Sequence, residues 1–180
     1  MPFDLSALGV LIKKIFPPKK CVSTVDTSGD GKVDALVIQA VNVVMPFQFP
    51  EEIELRDVGM KGFNGKDFDL SKYGKLLLDG ERINISKEAI SPESLQKRFF
   101  VYHKGESFSY EEIMKGGFGG RTVALGDEIN FLFRLEDDAL ARFTEGKHVL
   151  MIDAENVLTL ELTFELNADN MNQKFEPASN

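Results

Sequence analysis

Val157-Leu-Thr-Leu-Glu-Leu-Thr-Phe-Glu-Leu166, VLTLELTFEL, alternates apolar and polar residues along its whole length. Successive side chains of an extended chain point to opposite sides, so Leu158, Leu160, Leu162, Phe164 and Leu166 share one face. Thr159, Glu161, Thr163 and Glu165 share the other. One apolar and one wet face describe a strand in a sheet that packs on a single side. That reading sets the fold class as mainly β.

The pattern continues outward from this strand. Residues 148–154 form a further strand, joined to the first by a turn through Glu155-Asn156. Residues 127–136, DEINFLFRLE, alternate through Ile129, Phe131, Phe133 and Leu135. Residues 33–44 are apolar at consecutive positions, as expected of a central strand covered on both faces. Residues 52–58 and 76–85 complete the set, the latter folding back at Asp79-Gly80, a type I′ hairpin signal. Helices are short and few. Ser91-Pro92-Glu93 supplies an N-cap, a proline at the first helical position and an early acid, which predicts a helix to about Phe99. Ser109 caps a second helix closed by Gly116, and a turn of helix covers residues 137–143.

Strands at short intervals with turn signals between them predict a β-sandwich. Residues 137–166, DDALARFTEGKHVLMIDAENVLTLELTFEL, resemble the end of an immunoglobulin-like sandwich, where a short helical corner leads into the last two strands. The expected fold is therefore an immunoglobulin-like or related β-sandwich with a few short helices. With 180 residues there is enough chain for one real core and no reason to divide it. The expected organisation is an amphipathic helix and proline linker over residues 1–20, a β-sandwich domain over 21–168, and a loose tail over 169–180.

Composition narrows the function classes. A formal charge of −8 and an isoelectric point near 4.9 oppose nucleic-acid binding, which requires clustered Lys and Arg against phosphates. Acidity favours solubility and attracts cations. The single Cys21 rules out an internal disulfide and any multi-cysteine metal site. In MPFDLSALGVLIKKIFPPKK the apolar run precedes the lysines, the reverse of a secretory leader, which sets the expectation of a cytoplasmic protein. Leu5, Leu8, Leu11, Ile12, Ile15 and Phe16 recur at helical spacing until Pro17-Pro18 stops the helix. The apolar stripe has three readings: packing on the domain, an oligomer contact, or contact of residues 5–20 with an anionic membrane surface through the flanking lysines.

The clearest chemical signal is VDTSGDGKVDA, residues 25–35. Its D-x-S-x-D-G-x-x-D spacing resembles the nine-residue calcium hairpins of integrin-type propeller blades and the first half of dockerin loops. The resemblance implies that Asp26, Ser28, Asp30, Lys32 through its carbonyl, and Asp34 ligate calcium. The physical reason is that calcium takes six to eight oxygens, and a tightly curled backbone brings alternate side chains toward one centre. Val37 stands where a helical calcium loop needs its closing acid, so the hairpin form is the one expected. The bare alternative is an acidic turn, since Asp, Ser and Gly also build turns without metal.

Other candidates carry less. KGGFGGR, residues 115–121, lacks the Gly-Lys-Ser/Thr of a phosphate loop and reads as a mobile connection. No nucleophile-elbow motif accompanies His103 or His148. Glu51-Glu52, Glu111-Glu112 and Asp137-Asp138 fall at element starts, where acids serve helix N-termini. The expected function is thus a non-enzymatic binding or structural module with a protein or carbohydrate partner and a structural calcium. The alternative is a small hydrolase or carbohydrate-processing enzyme that uses surface carboxylates.

Overall fold

A computed structural model of the chain describes residues 5–48, 74–83, 91–154 and 158–175. In chain order the elements are α1 (Leu5–Ile15), β1 (Val22–Asp26), β2 (Ala35–Val41), β3 (Phe47–Gln48), β4 (Gly74–Leu78) and β5 (Glu81–Arg82). They continue with α2 (Pro92–Arg98), β6 (Phe99–His103), β7 (Glu106–Ser109), α3 (Tyr110–Met114), β8 (Thr122–Val123) and β9 (Glu128–Arg134). The last are α4 (Asp137–Leu140), β10 (Gly146–Ala154), β11 (Leu158–Leu166) and β12 (Gln173–Lys174). The protein is mainly β with short helices. The strand expected at residues 52–58 and the Glu155-Asn156 turn lie outside the described residues.

Three sheets form among the described residues: β12-β1-β2-β9-β6-β7, β11-β10-β4-β5, and the pair β3-β8. Every pairing is antiparallel except that of β12 with β1. The founding strand behaves as its alternation predicts. Leu162, Phe164 and Leu166 are each 1% exposed, while Thr159, Glu161 and Thr163 face solvent. It pairs with β10 in unbroken register, from Gly146 opposite Leu166 to Ala154 opposite Leu158.

One apolar cluster joins the two larger sheets. It holds Val22, Leu36 and Ile38 from the six-stranded sheet, Leu78, Leu150, Leu162, Phe164 and Leu166 from the four-stranded one, and Phe143 beside α4. Ile12 and Phe16 of the N-terminal segment pack against the same cluster, which is one of the expected uses of its apolar stripe.

The strand at residues 127–136 departs from one-sided alternation. Leu132, on the face expected to be wet, is 1% exposed and clusters with Val25, Ala35 and Val37. The cover comes from side chains on that same face: Phe100, Tyr102 and Phe175 pack against this cluster. β2 itself, buried at four consecutive residues, is the doubly covered strand its composition predicts.

Local signals account for the turns. Asp79 and Gly80 take positive φ values of 53° and 82° between β4 and β5, the left-handed pair a type I′ turn requires. Lys104 and Gly105 do the same, at 51° and 77°, between β6 and β7. Ser91 caps α2 by accepting from the Ser94 amide, and Ser109 and Glu112 form a reciprocal capping box on α3. Residues 169–175, placed by sequence in a loose tail, are tied to the domain. Asn170 is buried, its side-chain Nδ2 donates to the Glu165 carbonyl at 2.7 Å, and the Phe175 ring meets Tyr102 edge-on at 4.8 Å.

Candidate functional site

The loop between β1 and β2 carries the predicted ligands. β1 delivers Asp26 at its end, and the antiparallel register that sets Val25 opposite Ala35 returns Asp34 beside it. Gly29 and Gly31, at φ 77° and 86°, supply the left-handed bends that curl the backbone inward. The amides thus turned inward meet Asp26. Its Oδ1 accepts from the Ser28 amide at 3.0 Å, the Ser28 hydroxyl at 3.1 Å and the Gly29 amide at 2.7 Å. Its Oδ2 accepts from the Gly31 amide at 2.7 Å. These bonds, that from Gly31 foremost, hold the Asp26 carboxyl below the usual carboxylate range, because each favours the ionised form.

The remaining ligand candidates make local bonds of their own. Asp34 accepts from the Thr27 amide at 2.8 Å and from the Thr27 hydroxyl at 2.6 Å. Asp30 Oδ1 accepts from the Lys32 amide at 2.8 Å, and Ser28 Oγ accepts from the Asp30 amide at 3.3 Å. Asp26 is buried, Asp34 is half-buried, and Ser28, Asp30 and Lys32 are exposed. The structure thus gathers Asp26, Ser28, Asp30, Lys32 and Asp34 into one small loop, with the carboxylates turned to the loop's own N–H and O–H groups. Among the described residues no three His, Cys, Asp or Glu side chains converge closely enough to hold a metal ion. The donor set nevertheless suits a hard cation in kind. A carboxylate offers about four lone-pair sites, so Asp30 and Asp34 each keep acceptor capacity beyond the bonds they make here.

The histidines are both buried and each lies beside an acid, an arrangement that sequence reasoning missed because the partners are distant in the chain. His148 Nδ1 is 2.7 Å from Asp79 Oδ2, and its Nε2 is 2.9 Å from the Thr144 carbonyl oxygen. Both ring nitrogens therefore face acceptors. His103 Nε2 lies 3.3 Å from Asp127 Oδ2, whose carboxylate also meets Lys104 Nζ at 2.9 Å and the Ala124 amide at 2.7 Å. Lys104, then Ala124, holds Asp127 below the usual carboxylate range. Among the described residues His103 Nδ1 is buried without a hydrogen-bond partner, on the ring that meets Phe118 edge-on at 6.0 Å.

Other reactive groups are similarly engaged. Cys21 is fully buried, and burial pushes its thiol up to about 11, far from the thiolate that nucleophilic chemistry uses. Glu111 pairs with Lys115, Glu112 closes the capping box, and Asp138 accepts from the Ala139 amide at 2.9 Å. The glycine-rich stretch is an anchored turn and not the expected mobile connection. Phe118 is 5% exposed in a cluster with Val101, Phe108, Val123 and Ile129, and Arg121 lies over the Phe108 ring at 4.3 Å. A Cβ on Gly117 would sit 2.9 Å from the Glu112 carbonyl oxygen, which explains glycine there. No helix among the described residues is long and apolar enough to cross a membrane. Comparison with known protein families, curated proteins and solved structures found no match.

Proposed function

We propose that the chain is a non-enzymatic binding or structural module of the immunoglobulin-like or related β-sandwich type, with calcium held in the loop of residues 26–34. The observation that carries the calcium reading is the curl of that loop. Two left-handed glycines and four bonds to Asp26 curl a nine-residue segment that carries three carboxylates, a hydroxyl and the Lys32 carbonyl. The sandwich reading is supported by the single apolar cluster shared between the two larger sheets. The non-enzymatic reading is supported by the occupation of both nitrogens of His148 and the sealing of Cys21.

Calcium would be held by Asp26, Ser28, Asp30, Asp34 and the Lys32 carbonyl. Its role would be to relieve repulsion among the three carboxylates and stiffen the first hairpin. Asp34 would exchange its bonds to Thr27 for the cation, so the Thr27 hydroxyl competes with the metal. In a cytoplasmic setting only a sensor-grade site, in the range of about 10⁻⁷–10⁻⁵ M, would be filled. Isothermal titration with calcium, on the full chain and on Asp30→Ala, tests the reading. One-site binding lost in the variant supports it; heat that is equal in both, or no heat at millimolar calcium, refutes it.

A further inference from the structure

β11 is nine residues long and lies at the outside of the four-stranded sheet. Along an antiparallel strand the N–H and C=O of one residue point to the same side, and successive residues alternate sides. The Glu165 amide donates to the Pro18 carbonyl at 2.9 Å, away from β10, and this fixes the phase. With no break in the β10 register, Thr163, Glu161 and Thr159 also present their backbone groups outward. All three residues are exposed, and among the described residues their outward backbone groups have no partner. This is an open strand edge of three alternate residues.

The edge is also one wall of a groove. A cavity of about 180 Å³ lies between α1 and β11, lined by Ile12, Lys13, Phe16, Glu161, Leu162 and Thr163. A helix set beside an open strand edge is a geometry into which an extended peptide can add as one more strand. The molecule's own chain starts such an addition at Pro18. It cannot continue, because Pro17 and Pro18 have no N–H to donate.

We propose that this edge docks an extended segment of a protein partner by strand addition to β11, with a basic residue opposite Glu161 and apolar residues entering the groove. The inference names a partner for the binding module proposed above and rests on that reading, though not on calcium. Glu161 specifies the charge at its own position on the edge: it is exposed, faces Met151 across the ladder, and has no ion pair among the described residues, while Lys13 on the helix wall opposes a second cation inside the groove and leaves that space to apolar residues. An opposite charge directly across a strand pair is favourable and a like charge is not. A second copy fits less well, because it would bring a further −8 of net charge and its own Glu161 and Glu165 against the same edge.

The test uses the full chain and a seven-residue acetylated, amidated peptide alternating valine with lysine, titrated while backbone amide resonances are followed, with calcium and with chelator. Saturable shifts centred on Glu161 and Thr163 are expected in both conditions, so calcium-loop failure and edge failure are separable. Methylating the peptide nitrogens that face β11 should weaken binding by about tenfold or more, because ladder bonds are lost while the side chains remain. Thr163→Pro removes one outward N–H at a position where an edge strand tolerates proline, and it should weaken binding comparably. Should that variant fail to fold, the methylated peptide still decides. No shift at millimolar peptide, or equal affinity for the methylated peptide, overturns the proposal. A dimer in sedimentation that Thr163→Pro dissociates also overturns it, by making a second copy the occupant.

Discussion

His148, in β10, holds Asp79 at the tip of the adjacent hairpin: imidazole Nδ1 meets carboxylate Oδ2 at 2.7 Å while the Val149 amide donates to Oδ1 at 2.8 Å. A buried ring on one strand thus clamps a left-handed turn on the next. His148 first, then Val149, holds Asp79 below the usual carboxylate range. A carboxyl depressed in the folded state stabilises it above its unfolded pKa of about 3.9, and the contribution fades as pH falls through the depressed value. Asp79→Ala should therefore melt about 2–4 °C below the wild type at pH 7, with the gap narrowing as pH falls through the depressed value. A gap that persists unchanged at low pH would mean that the charge plays no part.

The two faces of β11 should respond oppositely to truncation. Phe164 is 1% exposed and Thr163 faces solvent. Phe164→Ala should cost about 3–5 kcal/mol through lost burial and the cavity left behind, and Thr163→Ala less than about 1 kcal/mol. Urea unfolding of both variants measures this; equal losses would mean a strand covered on both sides.

Removing residues 1–16 should lower stability. Ile12 and Phe16 pack on the shared core, and deletion uncovers Leu162 beside the groove they line. The expected result is a lower urea midpoint and dye binding to exposed apolar surface. An unchanged midpoint would show that the helix is only a surface attachment.

Gly117→Ala tests the anchored turn. The added methyl would meet the Glu112 carbonyl oxygen at 2.9 Å, a contact that forces backbone movement and costs about 1–3 kcal/mol. Thermal melting at unchanged stability would show that the turn yields freely.

Legibility in the sequence followed the range of the interactions. β11, the doubly covered β2, the Asp79-Gly80 turn and the caps at Ser91 and Ser109 were readable because each rests on periodicity or chemistry within a few neighbouring residues. The β6–β7 hairpin was not anticipated. Its turn uses Lys104-Gly105, where a left-handed lysine gives no Asn-Gly or Asp-Gly signal, although the aromatic and β-branched run FFVYH was there to be read. β12 escaped because two polar residues pairing in parallel with β1 show no pattern at all. The second face of β9 depended on its neighbours in the sheet. The loop's curl was legible from its glycines and spaced acids, but the engagement of Asp34 with Thr27 was not, since side-chain direction is set by the curled backbone. The pairing of Asp79 with His148 spans 69 residues and could come only from the fold.

Calcium-dependent melting tests the central claim most directly. A cation bound by the folded loop and not by the unfolded chain raises the melting temperature with the logarithm of its concentration once it exceeds the dissociation constant. The account predicts that millimolar calcium raises the midpoint of the wild type by several degrees, and that Asp30→Ala, which leaves the four bonds to Asp26 in place, abolishes the rise. A wild-type midpoint that does not move between chelator and millimolar calcium would contradict it, and residues 26–34 would be a self-capped acidic turn.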